Sequence, residues 1–216
     1  MIVPLTAGYL AAFVAFAAAR GDRRVLAYLV VWSILAAAIT AVHRSWPLPR
    51  GVLAALSASG ALHLAGGLLP SPDPGAAAPI FYETWLVPGL LKADQAIHAV
   101  ISAVVTVAVF QLLGHFVDAR ASRSVRVVLS MLVCWGFGAA NELFEFLSAL
   151  RFTDAYVGDL GNAGWDLAFN VVGSLAAALW LVGEAGSQSW PVSSPGSSKA
   201  SSRDGSSGAT TAASRS

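Results

Sequence analysis

Seven side chains on four apolar segments could do chemistry together: His63, Asp94, His98, Glu142, Glu145, Asp166 and Asn170. Asp94 and His98 are four residues apart, Glu142 and Glu145 three, Asp166 and Asn170 four, so each pair shares one face of a helix. Crowded carboxylates in apolar surroundings cannot all stay ionised without a cation. Three chemistries follow. The groups could share protons and work as general acid and base, with Glu142, Glu145, Asp166 and His98 as catalytic candidates. They could bind a divalent metal, for which His63, His98, Glu142 and Asp166 offer imidazole and carboxylate ligands. Or they could hold a cationic or hydroxyl-rich ligand in a pocket lined by His63, Asp94, Asp159 and Asn170. The plain alternative is that they pair across helices and lock a bundle. No HExxH pair specifies a metal, and spacings across four helices carry little specificity.

The elements that must position these groups are membrane helices. Of 216 residues 56% are hydrophobic and 12% charged, against about 25% charged in soluble domains. Six segments approach the ~20 apolar residues that a span requires: Ile2–Ala19, Val25–Val42, Gly51–Leu69, Leu91–Phe116, Val125–Leu150 and Gly164–Gly183. Backbone groups in lipid must bond internally, so each is expected to be helical and the fold class all-α, a polytopic membrane bundle over residues 1–183. Segment 1 ends in "AFAAAR", which a signal peptidase could cut, but its basic cluster follows the apolar run, so a retained helix is expected. Residues 184–216 are rich in Ser, Gly, Ala and Thr and are expected to be a disordered tail.

Other classes are excluded or unsupported. A net charge of +1 gives no field for nucleic acid. The single Cys134 permits no disulfide within the chain and reads as a small buried residue. There is no glycine-rich phosphate loop, CxxC pair or nucleophile elbow, and no internal repeat.

Folding the chain back and forth puts Asp22, Asp73, Glu83, Asp94, Glu142, Glu145, Asp154, Asp159 and Asp166 on one side, with Arg20, Arg23, Arg24, Lys92 and Arg151. The other side holds eight Lys and Arg, Arg44, Arg50, Arg120, Arg123 and Arg126 among them, with both termini. Lys and Arg mark the cytoplasmic side, so the acidic face is expected outside and the termini inside. At 1.5 Å per residue the seven site candidates lie roughly 0–15 Å below that face. Two loops frame the layer. Residues 70–88 carry five prolines with Phe81, Tyr82 and Trp85, and are expected at the interface. Gly158, Gly161 and Gly164 suggest a flexible approach to the last helix, and Gly173 a packing position within it.

"DQAIH" at Asp94–His98, "NELFEF" at Asn141–Phe146 and "YVGDLGNAGWDLAFNVVGS" at Tyr156–Ser174 resemble two related groups. One is the YjdF-like family of bacterial inner-membrane proteins, which has no assigned activity. The other is the VanZ-like proteins, linked to glycopeptide tolerance. The likeness covers roughly residues 91–183. It implies a bacterial cell-membrane location and a role near the envelope, and supplies no reaction. Together these readings predict an outward pocket acting on a lipid or lipid-linked envelope component. The alternatives are a small proton-coupled transporter and a structural or assembly subunit. The expected partners are the bilayer and such a small molecule.

Overall fold

The computed structural model describes residues 2–21, 24–118, 122–151 and 160–183. Six helices, α1 (Ile2–Ala19), α2 (Arg24–Ser45), α3 (Arg50–Leu68), α4 (Ala93–Leu113), α5 (Arg123–Arg151) and α6 (Leu160–Gly183), are each long and apolar enough to cross a membrane. Between α3 and α4 stand a 3-10 turn, Phe81–Glu83, and a two-stranded antiparallel hairpin of β1 (Trp85–Val87) and β2 (Leu91–Lys92). Asp22, Asp154, Tyr156, Gly158, Asp159 and residues 184–216 lie outside the described residues.

The helix ends follow local chemistry. Pro4 sits in the first turn of α1, where the missing N–H has no intrahelical partner to lose. Pro49 precedes α3 with φ −57° and ψ 145°, and Leu69 leaves it in extended backbone ahead of Pro70. α4 starts two residues later than its apolar run, because Leu91 and Lys92 are spent on the hairpin. Gln95 Oε1 accepts the Lys92 N–H at 2.9 Å and fixes that start. The same helix stops at Leu113 rather than Phe116, since the Gly114 N–H turns back to Gln111 O at 3.2 Å. α6 begins at Leu160, so Gly161 and Gly164 are helical and not a flexible approach. Its one acid, Asp166, lies in the second turn, and the helix remains long and apolar enough to span.

Loop 70–88 is built rather than draped. Pro88 and Gly89 (φ +70°) take the two central turn positions, the proline first and the positive-φ residue second, and Leu90 N–H bonds Val87 O at 3.0 Å. Lys92 Nζ donates to Glu83 Oε2 at 2.7 Å, and Phe81 N–H returns to Leu69 O at 2.8 Å. These bonds press the 3-10 turn onto α3. The Tyr82 ring fills the space where Gly66 has no Cβ. Its hydroxyl donates to His63 O at 3.0 Å and so accepts from His63 Nδ1 at 2.6 Å. Burial, with Tyr28 and Asp94 nearby, pushes the Tyr82 phenol well up, so it remains a donor. A Tyr82→Phe variant loses both bonds and is expected to cost about 2 kcal/mol. Thermal unfolding in detergent would show a midpoint drop of about 4–8 °C; an unchanged midpoint would mean that the latch carries no weight.

α4 is the hub. It packs most extensively on α6, then on α5 and α3, while α3 carries α1 and α2. One apolar cluster joins Ala17, Leu64 and Leu68; a second joins Phe110, Val127, Ala178 and Leu181. α2 buries little and turns Val30, Ile34 and Leu35 outward. Lipid is as apolar as these side chains, so helix association rests on close packing and polar contacts. Both concentrate where α4, α5 and α6 meet.

Candidate functional site

Two polar rows with a four-residue period face each other across the α4–α6 contact. On α4 they are Asp94, His98, Ser102 and Thr106; on α6, Asn162, Asp166, Asn170 and Ser174. Residues four apart stack on one helix face, so each row is a ridge. Gly173 lets the ridges meet: a Cβ there would run into the Ala99 backbone carbonyl.

The contacts form a ladder. Asn162 Nδ2 donates to Asp166 Oδ2 at 2.6 Å and to Asp94 Oδ2 at 3.2 Å. His98 Nε2 stands 3.5 Å from Asp94 Oδ1. On the far side of that ring, Nδ1 lies 3.3 Å from Asn170 Oδ1, which also accepts the Ser102 hydroxyl at 2.6 Å. With the Asn170 oxygen toward it, Nδ1 donates, and Nε2 faces the Asp94 carboxylate. Asp166 is 0% exposed, Asn170 4% and Asp94 7%.

α5 closes the third side. Asn141 Nδ2 donates to Glu145 Oε1 at 2.8 Å and reaches Glu142 Oε1 at 3.4 Å. Both glutamates are half-buried. One ligand atom from each of His98, Glu142 and Glu145 falls within 4.8 Å of the others, and the same holds for Asp94, His98 and Asp166. His98 belongs to both groups. Gly138 gives Asn170 room, since a Cβ there would lie 2.6 Å from its Nδ2. Cys134 is buried and donates to Ser102 O at 3.3 Å; Trp135 Nε1 donates to Ser174 Oγ at 2.6 Å.

The structure thus gathers Asp94, His98, Glu142, Glu145, Asp166 and Asn170. His63 stands apart from both ligand-distance groups: Tyr82 takes its Nδ1, and Tyr28 and Tyr82 stand edge-on to its ring. The metal set His63, His98, Glu142 and Asp166 is therefore not assembled as a single cluster. Asp159 lies outside the described residues. Asn162, Ser102 and Asn141 belong to the network, although sequence reasoning did not single them out. The signal was present: Asn162 and Ser102 extend the Asp166–Asn170 and Asp94–His98 spacings by one further step of four.

At the opposite end of α4, the Arg126 guanidinium donates to Phe110 O at 3.0 Å and lies 4.4 Å from the Phe110 ring centre. Below the Asp166–Asn170 level the buried polar residues of α4–α6 are the hydroxyl-bearing Ser102, Thr106, Ser130 and Ser174.

A family model described as "Predicted membrane protein (DUF2238)" matches residues 1–185. The chain belongs to this family. The match takes in all six helices and ends two residues beyond α6, so it reaches well past the 91–183 stretch that carries the sequence motifs. No curated protein matches the chain, and no solved structure does. Membership supports a membrane protein built on six spans.

Proposed function

We propose that the chain binds or acts on a lipid or lipid-linked envelope component through the polar layer between α4, α5 and α6, with Glu142 and Glu145 as the acid/base pair. One observation carries this reading. The two half-buried glutamates of α5 lie among side chains that face outward: Leu143, Phe144, Phe146 and Leu147 are each more than half exposed. On a helix that crosses a bilayer, such side chains meet lipid. A headgroup or lipid-linked polar group can therefore approach the carboxylates sideways from the membrane, with its apolar part on α5. Charged groups within a span are costly and normally mark function. Glu145, held by Asn141 and half-sheltered by the bundle, is placed as the base, and Glu142 as its partner.

In this reading the layer faces the extracytoplasmic leaflet of a bacterial cell membrane with both termini in the cytoplasm. The Lys and Arg excess of the opposite side and the likeness to YjdF-like and VanZ-like sequences support that placement. A proton-coupled carrier is a poorer fit. Among the described residues of α4, α5 and α6, carboxylates and histidines stop in one layer, and a relay would continue them across.

The test is lipid retention. Protein purified in mild detergent, wild type beside a Glu142→Gln/Glu145→Gln double variant, would be extracted and its lipids profiled by mass spectrometry. Wild type is expected to be enriched in one polar or cationic headgroup class relative to the host membrane, and the folded double variant to lose that enrichment. Identical profiles matching the bulk membrane would overturn the proposal.

A further inference from the structure

We propose that Asp94, His98 and Asp166 hold a divalent transition-metal cation of the Mn2+ or Zn2+ kind. The inference deepens the reading above and rests on it for what the ion would serve. The geometry stands on its own.

First, each aspartate is divided between two tasks. The Oδ2 atoms of both are taken by the shared Asn162 amide. Oδ1 of Asp94 faces His98 Nε2. Oδ1 of Asp166 has no donor among the described residues, although Asp166 is completely buried. A buried carboxylate oxygen left without a partner is costly and calls for a counter-charge.

Second, the histidine is posed as a ligand. Its Nδ1–H is spent on Asn170 Oδ1, which Ser102 orients. Metal-bound histidines commonly donate their other ring N–H to an oxygen in this way, which fixes the tautomer and turns the free lone pair to the ion. Nε2 stands 3.5 Å from an Asp94 carboxylate oxygen, too far for a good hydrogen bond. Two ligands about 2.1 Å from a tetrahedral ion stand about 3.4 Å apart.

Third, a dication would balance the charge. Asp94 and Asp166, with Glu142 and Glu145 alongside, put four carboxylates around one imidazole, and Lys92 is engaged with Glu83. A dication between the two aspartates answers the two most buried. One imidazole with carboxylate oxygens suits Zn2+ and Mn2+ better than Cu+ or Ca2+. The glutamates, half-buried beside His98, then remain free for substrate.

The experiment uses the full chain in detergent. It would be stripped with chelator, exposed to Mn2+ or Zn2+ alone, desalted, and its metal measured by plasma mass spectrometry, with Mn2+ also followed by electron paramagnetic resonance. Wild type and the Glu142→Gln/Glu145→Gln variant are expected to retain about one ion per chain, and Asp166→Asn and Asp94→Asn to bind at least about tenfold more weakly. Wild type that retains neither ion overturns the inference, as does a folded Asp166→Asn that keeps the wild-type amount. If the aspartate variants do not fold, the Mn2+ spectrum of wild type and the Glu142→Gln/Glu145→Gln variant decide: absence of imidazole-nitrogen coupling, or loss of the ion from that variant, counts against the site. Metal retained without lipid enrichment would leave this inference standing and the lipid reading overturned; lipid without metal would do the reverse.

Discussion

A Gly173→Leu variant is expected to yield no folded protein, and Gly173→Ala to melt well below wild type. The Cβ of either residue would be driven into the Ala99 carbonyl, which is backbone of α4 and has no rotamer with which to yield. α4 and α6 make the most extensive helix contact of the bundle, so the whole interface must separate to admit the methyl. Overpacking of this kind costs about 1–3 kcal/mol for one methylene, and more when only backbone can move. In a bilayer no hydrophobic gain between helices offsets it, since lipid is an equally apolar partner. Gly138→Ala offers the contrast. Its Cβ meets the Asn170 side-chain amide, which can swing. That variant is expected to fold with a smaller loss and to disturb the His98 orientation instead. Fluorescence-detected size exclusion after heating would rank the three. A Gly173→Ala protein melting with wild type would remove the steric account of the α4–α6 contact.

Much of this bundle is legible in the sequence because a bilayer leaves few choices. A run of apolar residues near twenty must be a helix, and the back-and-forth order puts alternate loops on one face. That is why Asp94, His98, Glu142, Glu145, Asp166 and Asn170 could be placed in one layer from spacing alone. What spacing cannot give is rotation and loop contact. His63 shares the depth of the layer, but the Phe81–Glu83 turn brings Tyr82 against α3 and captures it. That capture depends on Gly66 lacking a side chain and on the hairpin register, and neither has a hydropathy signature. The start of α6 was read four residues late for a related reason. Glycines and an asparagine look like a loop, yet Asn162 and Gly161 lie on a helix whose polar residues are satisfied by a neighbour rather than by water.

The polar stripes show where a sharper rule would have succeeded. The four-residue period joins Asp94 to His98 and Asp166 to Asn170. Carried further in steps of four, it takes in Ser102 and Thr106 on α4 and Asn162 and Ser174 on α6. A row of small polar residues inside a span has no lipid-facing use, so its length measures the buried contact and its end marks the bundle's apolar seam. Here the seam begins around Phe110, Ala178 and Leu181.

Asn162→Leu is expected to be the most damaging change at the site that leaves every charge in place. Its amide nitrogen serves Asp166 and Asp94 together, at 2.6 and 3.2 Å. Leucine keeps the helix and the branching at Cγ and removes the donor to both. A hydrogen bond to a charged group is worth about 1.5–3 kcal/mol net, and an orphaned buried acceptor costs at the upper end of that range. The loss should depend on the partner. In Asp166→Asn the carboxylate is already gone, so adding Asn162→Leu should cost much less, giving a coupling of about 1–2 kcal/mol in a double-mutant cycle. Asn141→Leu, which frees the half-buried Glu145, has solvent and headgroups to compensate and should cost under about 1 kcal/mol. Denaturant or thermal unfolding in one detergent would supply the four corners of the cycle. Additivity to within about 0.5 kcal/mol would mean that Asn162 does not tie the two aspartates. The free Oδ1 of Asp166 would then no longer be the fixed point on which the cation reading stands.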